Sequence, residues 1–185
     1  MNYFFSVFVV MVFASCAAKE DKKIRQAEVK NIGEQFSIDN VVDSSGNKIT
    51  LDFSASDITI IDFWNNGCPP CIEEMKQFPA LIKGKAAKVS ILSISLTQYW
   101  LWKPTLQEHK GTFAFLEYDV PNWKQYNLLT TDDPRLKNEI STDRLGELSS
   151  RYGINFNPAY VVVDRSGKIL ARPESAVEYL KEPGL

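Results

Sequence analysis

The sequence has few histidine and cysteine residues, the side chains that most often bind transition metals. It has one histidine, His109, and three cysteines, one of them inside an apolar N-terminal run. The close pair Cys68 and Cys71 therefore lacks the two further ligands that a structural zinc site needs. The 21 Lys and Arg residues are balanced by 23 Asp and Glu residues, with no dense basic run after residue 30, which argues against a nucleic-acid partner. The apolar fraction of 44% suits one soluble globular domain.

The N-terminal segment has the features of an export signal. Residues 3–14 form an apolar run that is too short to cross a bilayer but has the length of a signal-peptide core. Small residues then precede Cys16, and this junction resembles the lipoprotein box of bacterial proteins. The resemblance implies a lipid anchor on Cys16, with a conventional cleaved signal or an uncleaved anchor as the alternatives. We expect a signal segment at 1–16, a flexible polar tether at 17–32 and one folded domain at 33–185.

The other two cysteines, Cys68 and Cys71, have two residues between them. An export signal would place them in an oxidising compartment, where a dithiol indicates a redox function. Cys68 follows a buried-strand pattern at 58–64 and precedes a helical pattern, so the first amides of the helix can stabilise its thiolate. The pKa of such a thiol falls from about 8.5 to between about 3.5 and 7.5. Cys68 is the predicted nucleophile and Cys71 the resolving thiol, in a loop constrained by Pro69 and Pro70.

The order of strand and helix patterns indicates an α/β fold. Turn-forming residues at 43–47 separate two short apolar segments and predict an N-terminal hairpin. Pro79 is expected to kink the helix after Cys71 or to end its first half. The predicted elements are a hairpin of 36–38 with 49–51, a strand at 58–64, a helix at 72–83, a strand at 89–96, a hairpin of 160–164 with 168–171 and a helix at 174–181. This order predicts a central mixed sheet flanked by helices.

Two segments resemble thioredoxins. Residues 62–71 (DFWNNGCPPC) are similar to the thioredoxin active-site segment, and most similar to its TlpA/ResA-like extracytoplasmic branch. Residues 152–164 resemble the cis-proline loop and the strand after it, with Pro158 at the cis-proline position. The resemblance implies a thioredoxin-like fold that carries a redox-active disulfide between Cys68 and Cys71, with no further cofactor and no metal.

The resemblance also implies roles for residues around the cysteine pair. Asp62 and Glu74 are the two candidates to take the proton from Cys71, because a buried carboxylate has a raised pKa that suits proton exchange near neutrality. A solvated helix residue is the alternative interpretation of Glu74. The residues expected to contact the substrate are Pro158, Asn157, Trp64, Pro69 and Pro70.

Residues 97–150 depart from the family pattern. The connection is longer than usual by roughly fifteen to twenty residues, and we expect an extended helical and loop insertion with His109 on a helix surface. Gly67 replaces the aromatic residue before the first cysteine, which predicts a more open edge, or lip, of the active site. Lys76 stands where the family has a helix proline. The aromatic residues either pack a lengthened helix on the core, which is favoured, or form an exposed lip for a partner: Tyr99, Trp100, Trp102, Trp123 and Tyr126.

The predicted function is a membrane-tethered dithiol reductase of the cell envelope, facing the periplasm, with a soluble periplasmic or secreted form as the alternative location. Its expected partners are disulfide-bearing exported proteins and a membrane-side dithiol donor, and the family resemblance suggests apocytochrome c as the substrate. We expect a monomer. A thiol oxidase or isomerase, and a binding module with a structural disulfide, are the competing functions. Copper delivery of the Sco type is disfavoured because its two cysteines are separated by three residues and Cys68 and Cys71 by two. The lone cysteine pattern of a peroxiredoxin is not found.

Overall fold

The computed structural model describes residues 31–117, 119–130, 133–136 and 144–184. Cys16, the predicted signal segment and most of the predicted tether lie outside these residues, so those assignments stay predictions. Within the described ranges, no helix combines the length and the apolar character needed to cross a membrane.

Within the described residues, seven strands form one mixed sheet. Their bounds are β1 Val41–Val42, β2 Lys48–Ile49, β3 Ile58–Trp64, β4 Val89–Ser95, β5 Trp123–Leu128, β6 Ala159–Asp164 and β7 Ile169–Ala171. The strand order is β2-β1-β5-β4-β3-β6-β7. The three central strands β5, β4 and β3 run parallel, whereas β1, β6 and β7 each lie antiparallel to a neighbour. The predicted mixed sheet of thioredoxin type is confirmed.

The helices of the described residues lie between and after these strands. Their bounds are α1 Pro69–Met75, α2 Phe78–Ile82, α3 Tyr99–Glu108, α4 Arg144–Tyr152 and α5 Ala176–Leu180, with short 3-10 helices at Gly111–Glu117 and Pro134–Leu136. Buried side chains from α1, α2 and α5 cover one face of the sheet. Leu148 and Tyr152 of α4, with Phe36, cover the other face.

Strand β3 lies at the centre of the fold because both of its faces are buried. Its sequence, ITIIDFW, is rich in β-branched and aromatic residues, which suit a strand between two helical layers. Ile60 and Trp64 face α1, whereas Ile61 and Phe63 face α4. The alternation places Asp62 on the α1 face, with no exposed surface.

The N-terminal hairpin forms, but its first strand is β1 at Val41–Val42 rather than the predicted 36–38. The Asp43 carboxylate accepts hydrogen bonds from the backbone N–H groups of Ser45 and Asn47, each at 2.9 Å, so the strands pair directly beside the turn. Phe36 instead packs its ring on Tyr152, with centroids 4.9 Å apart.

The predicted helix after Cys71 is divided into α1 and α2, with the break at Lys76 and Gln77. Pro79 occupies the first turn of α2, where a backbone N–H has no helical partner, so proline is tolerated there. A continuous helix would need an N–H at residue 79 to donate to the carbonyl of Met75, and proline has none. The expectation that Pro79 ends the first half of the helix is confirmed.

The middle of the chain contains a strand that the sequence reading missed. The sequence predicts a helical and loop insertion that includes residues 123–128, yet these residues form β5, which pairs in parallel with β4. The polar residues of this segment hide the strand pattern. Asn127, for example, is buried and donates to the carbonyls of Ser95 and Thr97 at 3.1 and 2.7 Å, a pairing that only the assembled sheet provides.

Most aromatic residues of this region pack against the core, which is the interpretation that the sequence favoured. Trp102 and Trp123 are buried, and Tyr99 packs partly buried against Trp102. Trp100 is the exception, with 66% of its surface exposed. His109 ends α3 in the left-handed conformation, so it caps the helix rather than lying on its surface.

Candidate active site

The two cysteines of the CxxC pair lie at the start of α1 and form a disulfide, with Cα atoms 5.3 Å apart. Cys68 is the N-cap of α1, and its Sγ accepts a hydrogen bond from the backbone N–H of Cys71 at 3.3 Å. Cys68 keeps 6% of its surface exposed, whereas Cys71 has none. The amide that contacts Sγ favours the thiolate form of Cys68 after reduction, so the pair is chemically asymmetric.

The loop before Cys68 is fixed by short-range hydrogen bonds. The Cys68 N–H donates to the carbonyl of Asn65 at 3.1 Å, and the Gly67 N–H donates to the Asn65 side chain at 2.9 Å. Gly67 is exposed and has no side chain to cover the cysteines. The site therefore has the open lip that the sequence predicted.

Asn66 joins this loop to α3. Its backbone N–H donates to Thr97 Oγ1 and its Nδ2 donates to Thr105 Oγ1, both at 2.8 Å. Sequence reasoning missed this residue, because an asparagine in a turn gives no sign of a distant partner. The consequence is that the first part of the middle region is attached directly to the active-site loop.

Pro69 and Pro70 occupy the first turn of α1, where proline fits because those N–H groups have no helical partner. Both are exposed beside the mostly buried Cys68. Their contact with a substrate stays a prediction, and they leave the Cys71 N–H as the donor to Cys68 Sγ.

Asp62 is the buried acid of the site. Its side chain lies on the sheet face that packs against Cys71 and has no exposed surface. Burial raises the pKa of Asp62 to about 7, the hydrogen bond from Ser93 opposes this rise, and the negative charge of Glu74 adds to it. A carboxyl with this pKa suits proton exchange near neutral pH, and the part of Asp62 in catalysis stays a prediction.

Glu74, the other predicted proton acceptor, is engaged elsewhere. Its Oε2 accepts hydrogen bonds from the backbone N–H groups of Ala176 at 2.9 Å and Val177 at 3.2 Å. These residues open α5, whose N-cap is Ser175. Glu74 therefore satisfies amides that the short helix leaves unpaired, and it links α1 to α5. Glu74 is therefore not a purely solvated residue, and its part in proton transfer stays a prediction.

Replacing Glu74 by alanine is expected to lower the free energy of unfolding by about 1–2 kcal/mol, because two helix N-terminal amides lose a charged acceptor. Glu73→Ala is the matched control: Glu73 is exposed and pairs with exposed Lys76 at 2.6 Å, so its loss should cost less than about 0.5 kcal/mol. Chemical denaturation of both variants measures the difference. Equal losses would show that Glu74 does not act as a cap.

Pro158 lies at the end of the sheet where β3 leads into the Cys68 loop. The Asn157–Pro158 peptide bond is cis, so the predicted cis-proline is confirmed. Ala159 pairs with Phe63 in the antiparallel β6–β3 ladder, which places Pro158 beside the carboxyl end of β3. Asn157 and Pro158 are both half-buried. Their contact with a substrate stays a prediction.

Trp64 does not suit the substrate contact predicted for it. The side chain has no exposed surface and packs in the same buried cluster as Cys68 and Cys71. Phe113, from the 3-10 helix after α3, contacts it at a centroid distance of 6.1 Å. Because β3 is covered on both faces, its last residue lies behind the cysteines rather than at the surface.

The structure therefore brings together Cys68, Cys71, Asp62 and Trp64 on one face of the sheet and turns Glu74 toward α5. Among the described residues, no group of three or more His, Cys, Asp or Glu side chains is arranged to hold a metal ion. Two further residues of the site, Ser93 and Trp123, went unrecognised. For Ser93 the sequence signal is the alternation of small polar and apolar residues in β4. Trp123, which opens β5, is only one of several aromatic residues in its region.

A mixed sheet of this order, with a CxxC pair at the N-terminus of a helix, defines a thioredoxin-like thiol-disulfide oxidoreductase that acts on disulfide-containing proteins through its own redox-active disulfide. The chain belongs to the AhpC/TSA family, whose sequence model matches residues 29–172. The predicted likeness to ResA proteins is confirmed by thiol-disulfide oxidoreductase ResA of Bacillus thuringiensis and of Bacillus cereus. Each is 27% identical over 164 residues, covering 84% of this chain and 80% of the relative.

Solved structures show the same fold. The thioredoxin domain of a thiol-disulfide oxidoreductase from Bacteroides vulgatus matches with a TM-score of 0.56 and 21% identity, covering 81% of this chain and 95% of that one. A thiol:disulfide interchange protein from Bacteroides sp. matches with a TM-score of 0.58 and 22% identity, covering 83% of this chain and 87% of that one.

Proposed function

We propose that the chain is a dithiol reductase of disulfides in exported proteins, with Cys68 as the nucleophile and Cys71 as the resolving thiol. The observation that carries the proposal is the asymmetry of the pair. Cys68 Sγ receives the amide hydrogen bond and the remaining exposure, whereas Cys71 is fully buried. A substrate sulfur can therefore meet Cys68 and not Cys71.

The reaction moves two electrons from the protein to the substrate. The Cys68 thiolate attacks one sulfur of the substrate disulfide, and the other substrate sulfur leaves with the electron pair. Cys71 then loses its proton, attacks Cys68 Sγ and releases the second substrate sulfur as a thiolate. The protein ends with the Cys68–Cys71 disulfide, and the substrate ends as a dithiol.

We assign the acceptance of the Cys71 proton to Asp62 rather than to Glu74. Asp62 is buried on the face that packs on Cys71, and its pKa of about 7 suits proton exchange at neutral pH. Oε2 of the Glu74 carboxylate already accepts hydrogen bonds from two amides of α5. The negative charge of Glu74 helps to raise the pKa of Asp62, which makes the ionised Asp62 carboxylate a stronger acceptor for that proton.

The substrate is proposed to lie across the start of α1 and the loop before β6. Pro69 and Pro70 present exposed surface at one side, and the backbone before Pro158 offers hydrogen-bonding groups to an extended segment at the other. Asn157 belongs to that backbone. Trp64 supports the cysteines from behind.

Lipidation of Cys16 would tether this domain to a membrane in the cell envelope, where a membrane-side dithiol protein would return the pair to its reduced form. The support for this location is the apolar segment at 3–14, and for an exported substrate it is the likeness to ResA. Apocytochrome c is the substrate proposed on the same likeness.

The test is the reduction potential of the purified protein, equilibrated in defined thiol-disulfide buffers with a Cys68→Ala variant as the blank. A reductase is expected to have a potential near about −270 mV, as thioredoxin has, whereas a value near about −120 mV is typical of a strong oxidant and would reverse the direction of electron flow. A pair that no buffer reduces would support a structural disulfide in a binding module.

A further inference from the structure

The Asp62 carboxylate receives one well-defined hydrogen bond, and the donor is itself fixed. Ser93 on β4 is the register partner of Asp62, and its Oγ donates to Asp62 Oδ2 at 2.8 Å. Trp123 on β5 donates its indole Nε1–H to Ser93 Oγ at 2.9 Å. All three side chains are buried. An indole N–H can only donate, so the Ser93 oxygen accepts from it and the Ser93 proton is directed to Asp62.

Two phenylalanines hold the Trp123 ring in this position. Phe78 of α2 contacts it edge to face at a centroid distance of 5.6 Å, and Phe115 stacks on it at 6.2 Å with the planes 12° apart. Phe115 belongs to the 3-10 helix at Gly111–Glu117. The lengthened middle region therefore supplies both the donor to Ser93 and one of the rings that orient it.

The second carboxylate oxygen of Asp62, Oδ1, receives no hydrogen bond from the described residues. This oxygen is also buried. The titratable groups that face Asp62 are Cys71 and Glu74 on α1 and Tyr160, its register partner on β6. Burial and the two nearby carboxylates raise the pKa of Tyr160, so it stays a neutral phenol. A buried polar atom without a partner is costly unless it serves a purpose.

We propose that Ser93 and Trp123 are positioning residues for the proton step: they hold Asp62 with Oδ2 occupied and Oδ1 free to take the proton from the Cys71 thiol. This inference rests on the proposed function, in which Asp62 accepts that proton. In the resolving step the proton passes from Cys71 Sγ to Asp62 Oδ1 while Cys71 Sγ bonds to Cys68 Sγ, and the substrate sulfur leaves with the electrons of the mixed disulfide. Asp62 then returns its proton to solvent or to the departing thiolate.

The test is the pH titration of Asp62, monitored by carbon NMR of its labelled carboxyl group. It is measured in the wild type and in the Ser93→Ala, Ser93→Thr and Trp123→Phe variants. Loss of the Ser93 hydroxyl is expected to move the Asp62 titration upward by about one pH unit, because the carboxylate loses its donor. The pH dependence of the resolving step should move with it. Trp123→Phe keeps the ring packing and should give a smaller upward shift, and Ser93→Thr keeps the hydroxyl and should restore the wild-type titration.

Ser90→Ala is the matched control. Ser90 lies on the same strand with a buried hydroxyl 2.9 Å from Thr59 Oγ1, but it belongs to the opposite face of the sheet. This variant should leave the Asp62 titration unchanged. An unshifted titration in Ser93→Ala, or an equal shift in Ser90→Ala, would overturn the inference.

The titration does not require turnover, so the two proposals can fail separately. Wild-type protein that does not reduce disulfides would refute the proposed function, whatever the titrations show. An active wild type whose Asp62 titration and pH profile are unmoved by Ser93→Ala would refute the positioning role alone.

Discussion

A Cys71→Ser variant is expected to stop the reaction at the mixed disulfide and to accumulate a covalent complex with its substrate. Cys68 keeps its amide donor and its exposure, so the first attack proceeds. The serine hydroxyl does not displace a thiolate from a disulfide, so the second step is lost. Multiple turnover should fall to the rate of uncatalysed thiol exchange. Non-reducing electrophoresis and mass spectrometry of the trapped species measure the result.

The matched control is Cys68→Ser, which should give neither turnover nor a trapped complex. Cys71 has no exposed surface in the described structure, so it does not replace the nucleophile. Complexes formed equally by both variants would contradict the assigned order of the two thiols. The species trapped by Cys71→Ser in cell extracts also identifies natural substrates, because the linkage depends on the resolving step being absent.

The active-site segment could be predicted from the sequence because its determinants are local. A β-branched run followed by CxxC and a helical pattern specifies β3, the turn and α1 without knowledge of distant residues. The cis bond at Pro158 is expected from the resemblance of residues 152–164 to thioredoxins. In these stretches, propensity and burial favour the same structure, and the sequence reading was confirmed.

The missed features depend on contacts between distant segments. Ser93 and Trp123 are joined to Asp62 only after β4 and β5 pair with β3 in order, and Glu74 meets α5 about a hundred residues further along the chain. Neither a lone serine in a strand nor a glutamate on a helix signals such a partner. The sequence indicates that Asp62 and Glu74 are both candidate proton acceptors, and only the fold shows that Glu74 contacts α5.

We compare an Asp62→Asn variant with the wild type, both with the Cys68–Cys71 disulfide formed. The free energy of unfolding of the variant, relative to that of the wild type, is expected to increase as the pH rises. Burial raises the pKa of Asp62 from 3.8 in its ordinary state to about 7. Between these values the unfolded chain loses the proton while the folded protein keeps it, so wild-type stability falls as the pH rises through this window. Asparagine does not titrate and still accepts the Ser93 hydrogen bond. The stability difference between variant and wild type should therefore grow by roughly 4 kcal/mol between about pH 4 and about pH 8.

Chemical denaturation of the oxidised proteins over this pH range is the measurement, because disulfide-bonded cysteines do not titrate and leave Asp62 as the buried group that responds. Asp164→Asn is a control of opposite sign. Hydrogen bonds from Ser166 and from the Lys168 backbone lower the pKa of Asp164, so its contribution is present above the ordinary pKa and is lost as the pH falls. A flat difference for Asp62→Asn would mean that Asp62 is already charged at neutral pH. It would then be unable to hold the proton that the resolving thiol must release and would act only as a fixed charge beside the disulfide.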